Sequence, residues 1–187
     1  MFILYAVLVG LIVGFLAGGR VLALGEVRFR WGPLIVAGFL AQVILFSGPV
    51  ASRVGDLGPP LYVVTTLMVG AAVARNLDLT GMPIIALGAL SNMAAILAND
   101  GYMPSTEAAL ASVGKAPPSV YSNSAVVADP ALAPLIDRFV LPSWLPLANV
   151  FSIGDVLIGV GVAALIVIVM RRSPRRGGLL AAGAPTH

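Results

Sequence analysis

Five runs of apolar residues, near 2–19, 33–52, 60–77, 82–99 and 152–170, dominate the pattern along the chain. Each is close to the roughly 20 residues that an α-helix needs to cross about 30 Å of hydrocarbon. Basic and acidic residues fall between the runs and rarely inside them. The first run, "MFILYAVLVGLIVGFLAGGR", lacks a basic leading region and is longer than a secretory apolar segment, so it predicts a retained helix. The pattern predicts an all-α polytopic membrane protein, a five-helix transmembrane bundle forming one domain over residues 1–170. A basic, flexible cytoplasmic tail is expected over 171–187.

Inside the runs, small and amide residues recur at helical spacing. Gly10, Gly14 and Gly18 repeat every fourth position, as do Thr66, Gly70 and Ala74. Such stripes let helix backbones approach closely, which predicts packing seams within the bundle or, failing that, between two copies of the chain. Gln42 shares a face with Gly38, and Asn92 and Asn99 share one with Gly88. Buried amides without partners are costly, so each is expected to hydrogen-bond across the bundle. These three amides, Gln42, Asn92 and Asn99, are the candidate binding residues.

Residues 100–150 form the one sizeable polar stretch, too short for an independent domain and expected to fold against the membrane. In "PSTEAALASVG", Ser105 is placed as the N-cap of a short helix and Gly114 as its stop. In "ADPALAPLIDRFVLP", Asp129 is placed as a cap and Pro130 at the first helical position. Leu132, Leu135, Ile136, Phe139 and Val140 then give an apolar stripe opposite Asp137 and Arg138, predicting an amphipathic interfacial helix. Trp144 of "PSWLP" suits the headgroup level.

Composition agrees with a membrane reading. The chain has 187 residues, 59% hydrophobic and 10% charged, with a mean hydropathy of +1.00. Eight basic residues, Arg20, Arg28, Arg30, Arg75, Arg171, Arg172, Arg175 and Arg176, fall on one side of the five-span topology, against Arg53, Lys115 and Arg138 on the other. Because positive residues are retained on the cytoplasmic side, this predicts an outer N-terminus and a cytoplasmic C-terminus. The basic residues form no single patch, so nucleic acid is excluded as a partner. The expected partners are the lipid bilayer and a membrane protein or a second copy of the chain.

There is no cysteine, and the sole histidine is His187. Thiolate and imidazole chemistry lack their ligands, and neither a metal nor a cofactor is expected. Candidate chemistry falls to carboxylates, with Asp137 and Asp155 as the catalytic candidates. Asp155 opens the last apolar run, where a carboxylate can also simply cap the helix and meet the positive end of its dipole. A carrier or channel is favoured only by helix count, since there is no internal repeat and no charge at mid-membrane.

The succession "LSNMAAILANDGYMPSTEAAL", "SNSAVVADP", "LIDRFVLP" and "VFSIGDVLIGVGVA" resembles an uncharacterised family of bacterial integral membrane proteins, a domain of unknown function. That resemblance implies a fold and a plasma-membrane location without an activity. Locally, "FSIGD", Phe151 to Asp155, resembles the Phe-Asn-x-Ala-Asp motif of lipoprotein signal peptidase, with Ser152 in place of its asparagine. The likeness implies a dyad of Asp155 with Asp137, eighteen residues earlier, and Asn99 with Gly101 would match that family's Asn-x-Gly element. Two carboxylates sharing a water near the membrane surface can divide one proton, one serving as base and the other as acid. The likeness departs in its spacing, because loop alone separates Asn99 from Asp137. Two readings follow: a non-enzymatic membrane protein with an outer cap that contacts a partner or lipid, and an outer-leaflet aspartyl hydrolase.

Overall fold

The structure, a computed structural model, describes residues 2–114, 121–122 and 124–172. Each apolar run folds as a helix: α1 (Phe2–Leu16), α2 (Gly32–Leu45), α4 (Gly58–Ala74), α5 (Met82–Ala98) and α7 (Ile153–Arg171). Short helices α3 (Gly48–Ala51) and α6 (Glu107–Ser112) lie in the connections. Two two-stranded pairings complete the chain, β1 (Met103–Ser105) parallel to β2 (Ser124–Val126) and β3 (Phe139–Val140) antiparallel to β4 (Val150–Phe151). Lys115 and the residues after Arg172, including Arg175, Arg176 and His187, lie outside the described residues.

Several helices are shorter than the apolar runs that predict them, for local reasons. α1 ends at Leu16 because Gly18 takes a φ of +76° that stops the helix. α2 stops at Leu45 before the Ser47–Gly48–Pro49 turn, and Pro49 then starts α3. Among the described residues, two helical stretches are long and apolar enough to cross a membrane: residues 55–74, with a mean hydropathy of 1.6, and α7, with 2.6. The other three, α1, α2 and α5, are apolar but shorter.

Glycine decides how closely the helices pack. α7 is the central element, with α1 parallel to it on one side and α5 antiparallel on the other. Gly88 faces Gly154 and Gly81 faces Gly161, so a Cβ on any of the four would run into the opposite backbone or the side chains around it. On the other side Gly10 abuts the backbone of Ala163, and Gly14 abuts Met170. The Gly10–Gly14 part of the first stripe is thus a seam inside the chain, whereas Gly18 has nothing within 4 Å. In α4 the expected seam does not form: Gly70 faces open space and Ala74 is exposed. Only Thr66 of that stripe bonds across helices, accepting from Gln42 Nε2 at 3.1 Å, while Gly38 packs on Val69.

The connection between α5 and α7 departs from expectation. No helix spans 130–140: Leu132 has a φ of +53°, residues Ala133–Leu135 make one 3-10 turn, and Phe139–Val140 is strand. Pro134 disfavours helical geometry at the residue before it, and tertiary pairing supplies the backbone bonds that a helix would have supplied. Asp137 N donates to Pro104 O at 2.9 Å, and Phe139 pairs with Phe151. Asp129 therefore caps nothing. The helix in "PSTEAALASVG" does form, but Thr106 caps it, its Oγ1 accepting from Ala109 N at 3.1 Å, because Ser105 is taken into β1. Gly114, with a φ of +70°, follows that helix as expected.

Candidate functional site

The residues with chemical potential gather where α5 ends and α7 begins. Ser152 starts α7 as its N-cap, and its Oγ accepts from Asp155 N at 3.0 Å. The Asp155 carboxylate reaches back, Oδ2 accepting from Ser152 N at 3.2 Å, which completes a capping box. Because Gly88 and Gly154 let the two helices touch, Asn92 is close enough to join. Its Nδ2 donates to Asp155 Oδ1 at 2.9 Å, and Ser152 Oγ donates to Asn92 Oδ1 at 2.7 Å. Both oxygens of Asp155 are thus held, and Ser152 is fully buried.

Asp137 stands beside this ring. The antiparallel pairing of Phe139 with Phe151 draws this part of the loop toward the start of α7, and the charge of Asp155 reaches Asp137. Its carboxyl is buried, with Oδ1 lacking any hydrogen-bond partner, and burial followed by the nearby negative charge of Asp155 pushes its pKa up to about 7. Asp155 thus lies near enough for its charge to act on Asp137, and the two carboxyl groups differ in their hydrogen bonding. The Asp155 carboxylate is tied down by two donors, Asn92 Nδ2 and Ser152 N, and Asp137 is left partly unsatisfied. Ser105, bridged to Asp137, is also buried with an unpartnered Oγ.

The other candidates sit elsewhere. Asn99 clamps the loop onto the end of α5: its Nδ2 donates to Ala95 O at 2.7 Å and Ala131 O at 3.0 Å, and its Oδ1 accepts from Ala131 N at 2.9 Å. Gln42 lies at the α2–α4 contact, away from the aspartates. All three amides do hydrogen-bond between elements, and Asn92 alone belongs to the aspartate site.

Three polar residues were not legible in advance. Asn76, after α4, exchanges bonds with the backbone of Arg30 at 2.8 Å in each direction and donates to Ala72 O, pinning the α1–α2 connection. Ser105 and Tyr121 are buried with unpartnered hydroxyl groups. Burial drives the Tyr121 hydroxyl well above the ordinary tyrosine range, within an aromatic group of Phe46, Tyr62 and Tyr102. Gly58 is the one trace of this in the sequence, since its missing side chain makes room for the Tyr121 ring. Among the described residues, no group of three or more acidic or histidine side chains is placed to hold a metal ion.

Fold and site together define a mostly helical protein with apolar helices, two of them long enough to span a membrane, and a polar ring at one end of the central helix. The sequence pattern of a family described as a family of unknown function (DUF5317) matches residues 26–167, and the chain belongs to that family. Comparison with curated proteins and with solved structures gives no match.

Proposed function

We propose that the chain is a multi-pass protein of the cell membrane, non-enzymatic, with α1, α2, α4, α5 and α7 all crossing the bilayer and the 99–151 connection forming an outer cap. The observation that carries this reading is the inverted distribution of side chains. Leu4, Leu8, Ile12, Phe15 and Leu16 of α1 and Val36, Phe39, Leu40 and Val43 of α2 face outward, while Asn76, Asn99, Ser105, Asp137 and Ser152 are buried. In water so large an apolar surface would be a severe liability, whereas in lipid it is the expected exterior. α1, α2 and α5, of 15, 14 and 17 residues, are shorter than the roughly 20 residues of a full span. The cap presents Trp144, 79% exposed, with Leu147 and Leu132, an apolar set suited to the outer headgroup layer or to a membrane partner.

Because the chain has no cysteine, single-cysteine variants test the topology cleanly. An impermeant maleimide is expected to label Ser143→Cys on intact cells and Gly25→Cys only after the cells are opened. Labelling in the reverse order overturns the orientation, and labelling of both on intact cells overturns the five-span count.

A second reading rests on the unpartnered Oδ1 of Asp137 beside the fully held Asp155. An aspartyl hydrolase needs one carboxyl protonated and one ionised, and burial beside the charge of Asp155 favours the protonated form of Asp137. A peptide isostere bearing a transition-state hydroxyl would then stabilise the native protein against heat and lose that effect in Asp137→Asn. Equal stabilisation of both proteins removes the hydrolase reading.

A further inference from the structure

A cavity of about 390 Å³ opens at the end of α7 opposite the aspartates, a volume within the usual range for small-ligand sites. Its walls come from three separate segments. Ala23, Glu26, Val27 and Arg28 belong to the α1–α2 connection, Leu79 to the α4–α5 connection, and Val169 and Arg172 to the end of α7. The connection is drawn in because Gly19 packs against Met170 and Arg20 N donates to Met170 O at 2.7 Å.

The lining is divided by chemistry. Ala23 and Val169, both buried, with Val27 and Leu79, make an apolar floor that joins one core cluster. Arg28 and Arg172 are exposed at the rim, and Glu26 is the rim's one acid. Of the other arginines at this end, Arg30 pairs with Asp78 at 2.9 Å and Arg75 lies over the Trp31 ring, while Arg20 and Arg171 do not line the cavity. Among the described residues neither Arg28 nor Arg172 has an ion-pair partner. Two unpaired guanidinium groups and one carboxylate leave the rim net positive above an apolar base.

We propose that this cavity binds the phosphate of a phospholipid headgroup, held between the Arg28 and Arg172 guanidinium groups with the glycerol backbone against Ala23, Val27 and Val169. Guanidinium forks match phosphate oxygens in geometry and charge, and basic pockets at the cytoplasmic ends of membrane helices suit such headgroups. Glu26 supplies an acceptor for a hydroxyl or ammonium at the headgroup's far end. The site rests on the membrane reading above, which the cysteine-labelling experiment tests independently of lipid affinity.

Native mass spectrometry of the full chain in detergent, titrated with phosphatidylglycerol, provides the test. One tightly held lipid per chain is expected, with affinity falling roughly tenfold or more in the double variant Arg28→Gln, Arg172→Gln. The charge-matched double variant Arg30→Gln, Arg171→Gln should keep it, and Val27→Trp, which fills the cavity without changing charge, should abolish it. Failure to bind, or equal losses in both charge variants, overturns the proposal. Competition by millimolar inorganic phosphate would assign the site to a free phosphate and overturn the lipid source, whereas persistence of the lipid complex supports it.

Discussion

Replacing Asp137 by asparagine separates the two roles that its position allows. The carboxyl is raised from an ordinary 3.8 to about 7, chiefly by burial and then by the charge of Asp155. In the unfolded chain the same group ionises near pH 4. Between about pH 4 and pH 7 the native state therefore keeps a proton that the unfolded state has released, so wild-type stability should fall as pH rises through this window. At about 1.4 kcal/mol per unit, a displacement of some three units sets a ceiling near 4 kcal/mol above pH 7. Asparagine keeps the shape and cannot ionise, so Asp137→Asn should be flat across the window and the more stable protein at pH 8, by about 1 to 4 kcal/mol. Thermal unfolding of the purified protein in detergent, followed by circular dichroism from pH 4.5 to 8, measures this directly. A variant whose stability falls with pH as steeply as the wild type would refute the assignment, and one destabilised equally at every pH would show that the carboxyl makes a bond that only an acid can make.

Other outcomes follow from the packing and caps. Gly154→Ala drives a methyl into Asn92 and Gly88 and should cost at least about 2 kcal/mol in detergent unfolding, whereas Gly70→Ala, facing open space, should be neutral or gain up to about 1 kcal/mol. Ser152→Ala removes the α7 cap and strips Asn92 Oδ1 of its donor, for a loss of about 1 to 3 kcal/mol on the same assay. Asn76→Ala, which breaks three bonds of a buried amide, should cost about 2 to 4 kcal/mol in chemical unfolding. Asp78→Ala, which breaks only the exposed ion pair to Arg30, should cost under about 1 kcal/mol.

Helix positions were legible because an apolar run fifteen or more residues long leaves its backbone few ways to satisfy hydrogen bonds except with itself. The capping role of Asp155 was legible for a related reason: Ser152 and Asp155 stand three residues apart at the start of such a run, and a capping box is a local device. The connection between α5 and α7 was misread where local and distant signals compete. The apolar stripe from Leu132 to Val140 fits a helix, yet Pro134 weakens it, and partners some thirty residues upstream at Pro104 and a dozen downstream at Phe151 take the backbone bonds. In the stripes, Gly10 and Gly70 have the same spacing signature, and only the fold says that one meets α7 and the other meets nothing.

By itself the sequence determined where the five long helices lie, how apolar they are, that no thiol is present, and that the amides Gln42, Asn92 and Asn99 had to find partners. Those properties follow from side-chain chemistry and from hydrogen bonds within one or two turns. Tertiary structure decided which partners they found: that Asn92 closes a ring with Ser152 and Asp155, that Asp137 comes to lie beside that ring with an oxygen unpaired, and that Arg28 and Arg172 share one cavity. Such pairings join residues on different elements, from under twenty to well over a hundred positions apart, and their energies depend on burial and distance, which arise only when the helices pack.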